Sequence, residues 1–343
     1  MTEPIIQFGI VGFGRIVELI HMPTLKRLGG IKAAGVYDIT AQRRDLAVKR
    51  GLEAFAELDG LLSSPIDAVL IATPHQSHFE LAKQCLQSGK HVILEKPVTL
   101  TYAEAVQLQK VASDCGRAVT VFHNRRFDRD YQLVKQVIEE GELGPLLFID
   151  RRHHSFGSGA SFGVKSFHPD WRNEADYGGG ALLDWGVHLI DQLLRLEIGK
   201  FAEIDAALHN LRWRQGDAED YVRASIKTDR DILLSFEINF GSHAASPLWV
   251  VGGENGTLEI DTDKEAVLHI KGKPAQSIEL TPSLYDGAQT IYESFVKHLT
   301  EGAPLAITMD EAVETMAVAD AIRISAERRQ GVRYGDLVLG ATS

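Results

Sequence analysis

Residues Ile5-Ile6-Gln7-Phe8-Gly9-Ile10-Val11 run without a charge into Gly12-Phe13-Gly14-Arg15-Ile16. A short continuous apolar run predicts a strand buried on both faces, and the residues after it predict the start of a helix. The first glycine permits the sharp turn between the two, and the second lets backbone approach a pyrophosphate at the helix N-terminus. Two glycines alone are an ordinary turn. Here the context is the one a dinucleotide fingerprint requires: a strand before, a helix after, and a second strand ending at Asp38. Val17 departs from the pattern, since a third small residue is expected there.

The alternation continues outward from this turn. Apolar runs at residues 33–37, 68–72, 91–94 and 118–122 are separated by amphipathic stretches of helical length, such as 79–87 and 103–113. Buried strands joined by helical crossovers predict a parallel, doubly wound α/β sheet of the Rossmann kind. The texture changes near Asn124. Helical stretches are expected at 131–140 and 182–196, then strands at 202–211, 221–227, 232–239, 248–252, 257–260 and 267–270, and helices again at 291–299 and 311–328. Successive strands with short turns predict an antiparallel or mixed sheet. The expected domains are therefore residues 1–123 and 124–343, and 343 residues are too many for one ordinary core.

Composition narrows the function. Lys plus Arg number 36 against 47 for Asp plus Glu, a formal charge of −11 that opposes binding to nucleic acid. The start, Met1 to Pro4, carries no basic region and the apolar run behind it is short, so neither a signal peptide nor a membrane span is expected. The two cysteines, Cys85 and Cys115, read as buried thiols in a reducing cytoplasm.

Asp38 stands where a carboxylate accepts hydrogen bonds from the adenosine ribose and repels a 2′-phosphate, which favours NAD over NADP. Arg43 and Arg44 lie just beyond. Their ordinary role is a solvated helix face, and the alternative is to reach the phosphate of NADP. Three further segments carry chemistry. Thr73-Pro74-His75-Gln76-Ser77-His78 follows a buried strand and should border the cofactor, because ligands bind at the carboxyl ends of parallel strands. Glu95-Lys96-Pro97 ends the next strand. A lysine there can hydrogen-bond a substrate oxygen, and Pro97 can hold the turn rigid through a cis peptide. Taken singly, Lys96 is an ordinary loop lysine and His78 a helix-start residue. The third segment is Gly178-Gly179-Gly180-Ala181-Leu182-Leu183-Asp184-Trp185-Gly186-Val187-His188-Leu189-Ile190-Asp191. In a helix, Asp184 and His188 lie one turn apart on one face that Asp191 continues. A histidine beside a carboxylate suits proton abstraction from a hydroxyl. The Asp–His pair is also compatible with a metal, but no further ligand set with strong spacing is present.

Together with Asn124-Arg125-Arg126-Phe127, these segments resemble the Gfo/Idh/MocA family, that of glucose–fructose oxidoreductase and inositol dehydrogenase, over nearly the whole chain. The resemblance implies a Rossmann domain followed by an α/β domain whose large open, mostly antiparallel sheet serves in assembly as a homodimer or homotetramer. It also implies that Lys96, Asp184 and His188 surround the reacting carbon. The cofactor would touch Gly12, Phe13, Gly14, Arg15, Ile16, Asp38, Thr73, Pro74, His75, His78, Glu95, Lys96 and Pro97. His75 stands where relatives often have Asn. Arg126, His154, His168, Trp171 and Arg172 are candidate substrate residues; Trp171 can offer a flat surface to a sugar ring, although its ordinary role is core packing. The expected activity is NAD(P)-dependent dehydrogenation of a sugar, inositol or related polyol. Two other functions fit the same residues: a glycoside hydrolase that uses bound NAD transiently, and a non-catalytic sensor, although a sensor needs no proton-transfer set.

Overall fold

The computed structural model describes residues 5–157, 164–165, 167–211, 216–283 and 285–336; the expectation for Met1 to Pro4 lies outside them. The chain divides into two compact units. The first takes its residues from 1–124, 159–178 and 284–316, the second from 125–158, 179–283 and 317–343. Residues 164–178 and 285–316 thus group with the first unit, although they follow the expected boundary at 123.

In the first unit, strands β1 (Ile6–Val11), β2 (Ile31–Tyr37), β3 (Glu53–Phe55), β4 (Ala68–Ile71), β5 (His91–Leu94) and β6 (Val119–Val121) form one sheet in the order β3-β2-β1-β4-β5-β6. Every pairing is parallel, the doubly wound arrangement expected. All four residues of β4 are buried, as a strand covered on both faces requires. Helices α1 (Met22–Arg27), α2 (Ala41–Lys49), α3 (Leu58–Ser63), α4 (His78–Gln87) and α5 (Tyr102–Cys115) connect the strands. Thr101 starts α5: its hydroxyl accepts from the Glu104 N–H, while the Glu104 carboxylate accepts from the Thr101 N–H. Of the two thiols, Cys85 is buried and its pKa is pushed up to about 12 by desolvation. Cys115 is only half-buried, because it closes the last turn of α5.

In the second unit, α6 (Arg129–Glu139) leads to β7 (Leu146–His154), and α7 (Val187–Leu194) leads to β8 (Phe201–His209), β9 (Tyr221–Thr228), β10 (Leu233–Asn239), β11 (Trp249–Gly253), β12 (Gly256–Thr262), β13 (Glu265–Ile270) and β14 (Gln276–Glu279). With the short β15 (Val332–Arg333) they form a nine-stranded sheet, ordered β14-β13-β12-β11-β7-β10-β9-β8-β15. Only β7 and β10 pair in parallel. β9 shows why the sheet has two unlike faces: Val222, Ala224, Ile226 and Thr228 are buried, while Arg223, Ser225 and Lys227 between them are exposed.

Two late helices follow, α8 (Asp286–Glu301) and α9 (Met309–Arg328). The apolar face of α8 explains why it groups with the first unit. Tyr292 and Phe295 each bring their rings to 5.9 Å from that of Phe8 on β1. No helix among the described residues is long and apolar enough to cross a membrane.

Candidate active site

The parallel sheet places three loops side by side, because β1, β4 and β5 are neighbours and each loop follows a carboxyl end. The Gly12 turn follows β1, Thr73–Pro74 follows β4, and Glu95-Lys96-Pro97 follows β5. Gly12 has φ +86°, and a Cβ there would lie 2.7 Å from the Ala72 carbonyl oxygen, so only glycine lets the first two loops close on each other. A Cβ on Gly14 would meet nothing within 4 Å. The turn therefore presents open backbone ahead of a helix that begins at Arg15, which fits a pyrophosphate. That helix passes at once into a π-helical turn over Val17–His21, with Val17 buried at the position where the sequence pattern expects a small residue.

The cofactor candidates sort by exposure. Gly14, Ile16, Thr73, Pro74 and Lys96 are half-buried and Arg15 is exposed. Phe13 is buried, and its N–H donates to Asp38 Oδ2 at 2.8 Å. The other Asp38 oxygen accepts from the N–H and hydroxyl of Thr40, both at 2.8 Å. Three donors leave the carboxylate about one acceptor direction for a ribose hydroxyl. Arg43 and Arg44 are not the solvated face expected of them. The Arg43 guanidinium donates to the Phe13 carbonyl and, at 2.7 Å, to Glu18; Arg44 donates to the Asp38 carbonyl at 2.6 Å. Each arginine thus bonds a backbone carbonyl beside the cofactor candidates, and Arg43 is also paired with Glu18.

His75, His78 and Glu95 face inward. His75 is 3% exposed, with Nδ1 2.7 Å from the Gly178 carbonyl and its ring 4.7 Å from the Trp171 ring. His78 is fully buried, with Nδ1 2.7 Å from the Pro97 carbonyl of the third loop and Nε2 3.0 Å from the Thr73 carbonyl of the second; its neutral ring donates to one of the two. Desolvation, only partly opposed by those bonds, lowers its pKa. Glu95 Oε1 lies 2.9 Å from His21 Nε2, and Oε2 accepts the Lys96 N–H at 3.2 Å. Burial alone would raise this carboxyl; the bond to His21 and the charge of Lys96 outweigh it and hold the group below the usual carboxylate range. The Lys96–Pro97 peptide is cis. Trp171, 6% exposed, lies under the Arg172 guanidinium at 4.2 Å, and His168 pairs with Glu174 at 3.2 Å.

In the second unit the helix expected over 182–196 opens with a π-helical turn, Leu182–Gly186, before α7 begins. The irregular entry has local causes. Gly180 sits at φ +108°, and the N–H groups of Ala181 and Leu182 are taken by the Glu219 carbonyl and carboxylate, both at 2.9 Å. Asp184 and His188 are both buried, at 5% and 6% exposure. Asp191 does not continue their chemistry: it accepts a two-pronged bond from Arg126, with both distances 2.6 Å. Gln192 reinforces that hold by donating to the Arg125 carbonyl at 2.8 Å. His154 pairs with Glu237 across β7 and β10 at 2.9 Å.

The residue beside His154 was not anticipated. His153 stacks on Trp185 at 3.6 Å between centroids and 12° between planes, and Trp185 stands 6.1 Å from His188. Burial, with the nearby Arg151 and Arg125 charges, pushes the His153 pKa down to about 3. His153 is thus a neutral plate that backs the half-buried Trp185. A strand with the pattern Asp150-Arg151-Arg152-His153-His154 shows no apolar alternation, so nothing in the sequence separates the stacked histidine from the ion-paired one. Among the described residues no group of three or more His, Cys, Asp or Glu is placed to hold a metal ion.

Comparison with known proteins bears on the same two regions. Residues 6–123 match the model described as "Oxidoreductase family, NAD-binding Rossmann fold", and residues 131–259 match the GFO/IDH/MocA C-terminal domain. The scyllo-inositol 2-dehydrogenase (NADP(+)) IolW of Bacillus subtilis is 26% identical over 95% of each chain. The oxidoreductase YdgJ of Escherichia coli is 32% identical over 56% of this chain and 53% of its own. Among solved structures, an NAD-binding protein from Listeria innocua superposes with a TM-score of 0.84 and 29% identity over 96% of both chains.

Proposed function

Because the chain belongs to the Gfo/Idh/MocA family of NAD-binding oxidoreductases, we propose that it oxidises or reduces a hydroxyl-bearing carbon of a sugar, inositol or related polyol. The observation that carries this reading is the row of loops on β1, β4 and β5, which sets Lys96 at the same sheet edge as the Gly12 cradle. The Bacillus relative, an inositol dehydrogenase by name, supports the substrate class.

When bound, nicotinamide supplies or accepts the hydride. The protein's part is binding, orientation and proton movement. Gly12 and Gly14 leave room for the pyrophosphate, and Asp38 accepts from the ribose. Lys96 donates a hydrogen bond to the substrate oxygen through Nζ and so favours the charge that grows there. His188 takes up or returns the hydroxyl proton, and Asp184 orients it or holds a neighbouring hydroxyl. The half-buried Trp185, backed by His153, supports an apolar sugar face near His188 better than the buried Trp171 does.

Cofactor choice follows from Asp38. Its carboxylate opposes a 2′-phosphate, and of the two nearby arginines Arg43 is paired with Glu18 and bonded to the Phe13 carbonyl, while Arg44 donates to the Asp38 carbonyl. NAD is therefore the proposed cofactor, unlike the NADP(+) in the name of the Bacillus relative. A screen of sugars and inositols with both cofactors should give net NADH with at least one polyol, and NADH should bind more tightly than NADPH in titrations. Tighter NADPH would overturn the cofactor assignment. Cleavage of glycosides without net NADH would replace the dehydrogenase by a hydrolase.

The exposed face of the nine-stranded sheet supports assembly. It carries Arg223 and Lys227 on β9 beside Leu233 on β10, a mixed surface suited to a second copy. Light scattering at micromolar concentration should report a dimer or tetramer; a stable monomer contradicts this.

A further inference from the structure

Tyr292, His21 and Glu95 form a buried hydrogen-bonded chain that the proposed chemistry does not use. Tyr292 and His21 are each 0% exposed and Glu95 is 8% exposed. The Tyr292 hydroxyl lies 2.9 Å from His21 Nδ1, and His21 Nε2 lies 2.9 Å from Glu95 Oε1. The sources are distant in sequence: His21 ends the π-helical turn after the glycine loop, Glu95 follows β5, and Tyr292 comes from α8. Phe122 packs on the chain, its ring 4.5 Å from that of His21 and 6.3 Å from that of Tyr292.

Hydrogen-bond bookkeeping gives the chain a direction. A buried phenol that does not donate leaves a proton unsatisfied, which is costly. The Tyr292 O–H therefore donates to His21 Nδ1. His21 Nδ1 is then an acceptor, Nε2 carries the proton, and Nε2–H donates to Glu95. Glu95 receives two N–H donors, one from His21 on Oε1 and one from the Lys96 backbone on Oε2. The carboxylate thus grips the peptide that carries Lys96. His78 holds the far end of the same turn through the Pro97 carbonyl.

We propose that His21 and Tyr292 are positioning residues for Lys96, acting through the carboxylate of Glu95. The inference rests on the role given to Lys96 under the proposed function. Removing the chain should leave the lysine present but its turn loosely aimed. A displacement on the order of 1 Å costs about a hundredfold in rate, whereas binding of the adenosine half of the cofactor is left alone.

The test compares four proteins: wild type, Lys96→Ala, Tyr292→Phe and the double variant His21→Leu/Glu95→Leu. The double variant exchanges a buried polar pair for an apolar one and so strands no buried charge, as a single deletion would, although the Tyr292 hydroxyl and the Lys96 N–H lose their acceptors. Expected for it are a folded protein with a modestly lowered melting temperature, an NADH dissociation constant within about twofold of wild type, and a kcat lowered about tenfold to a hundredfold with KM nearly constant. Tyr292→Phe, which removes one oxygen, should lower kcat in the same direction. Nitrogen-15 NMR of histidine in the cofactor-free protein should show His21 as the neutral tautomer protonated at Nε2. Normal kcat in the double variant, with Lys96→Ala inactive, overturns the positioning role. If the double variant does not fold, normal kcat in Tyr292→Phe does the same. A doubly protonated or Nδ1-protonated His21 overturns the directed chain. Normal turnover in Lys96→Ala instead overturns the parent reading, and the NMR result still decides the chain.

Discussion

Replacing Lys96 by Ala is expected to lower turnover of a responsive polyol about a hundredfold or more, the scale of a lost proton-transfer or oxygen-binding group. The cofactor should still bind. The residues proposed to hold its adenosine half, Gly12, Gly14 and Asp38, belong to the loops after β1 and β2 and make no use of the Lys96 side chain. His188→Ala should lose turnover to a similar degree. If the two residues act on one substrate oxygen, the double variant should be less impaired than the product of the single losses, because residues that act as a unit are not additive. Asp184→Asn should raise KM as well as slow turnover. Steady-state kinetics with parallel NADH titration measures all of this. Lost cofactor binding in His188→Ala would assign that histidine to structure instead of chemistry.

The second large effect concerns stability. Arg126 and Asp191 are both buried and joined by two 2.6 Å bonds. Arg126→Met strands a carboxylate in the interior, and the expected loss is about 3–5 kcal/mol, read as a lower midpoint in urea or thermal unfolding. Adding Asp191→Leu removes the stranded charge and should restore most of that loss. The same pair of variants separates two roles for Arg126. It was a candidate substrate residue, and its fork is given to Asp191, three residues after His188 on α7. A stable double variant with normal KM assigns Arg126 to the support of α7. A raised KM at normal stability returns it to the substrate.

The parts of this molecule that were legible in sequence are those with a period. The continuous runs of β1, β4 and β5 and the alternation of β9 announced a parallel sheet and a half-covered antiparallel one. β7 was not legible, because Arg151 and Arg152 interrupt its apolar start and the side chain that receives the buried guanidinium of Arg151, Gln192 at 3.1 Å, lies far along the chain. α2 was marked only by the helix face expected of Arg43 and Arg44, because of its nine residues only Ala47 is buried. The site shows the same division. Glycine spacing and strand ends pointed to the loops around Gly12, Thr73 and Lys96. What each side chain does there depends on contacts far apart in sequence, such as His75 with Gly178, Glu95 with His21, and Arg43 with Phe13. Local pattern carries no trace of such pairs, so the protein groups that His75, His78 and Glu95 bond to were not legible in the sequence.

Under the proposed function a hydride moves between nicotinamide and a carbon that bears a hydroxyl. The most direct measurement uses a responsive polyol deuterated at the reacting carbon, with the reduced cofactor recovered and weighed by mass spectrometry. One deuterium in each molecule of NADH is expected, with a ketone or lactone product in equal amount. Unlabelled NADH, or product formed by bond cleavage with the cofactor returned to its oxidised form, would contradict it.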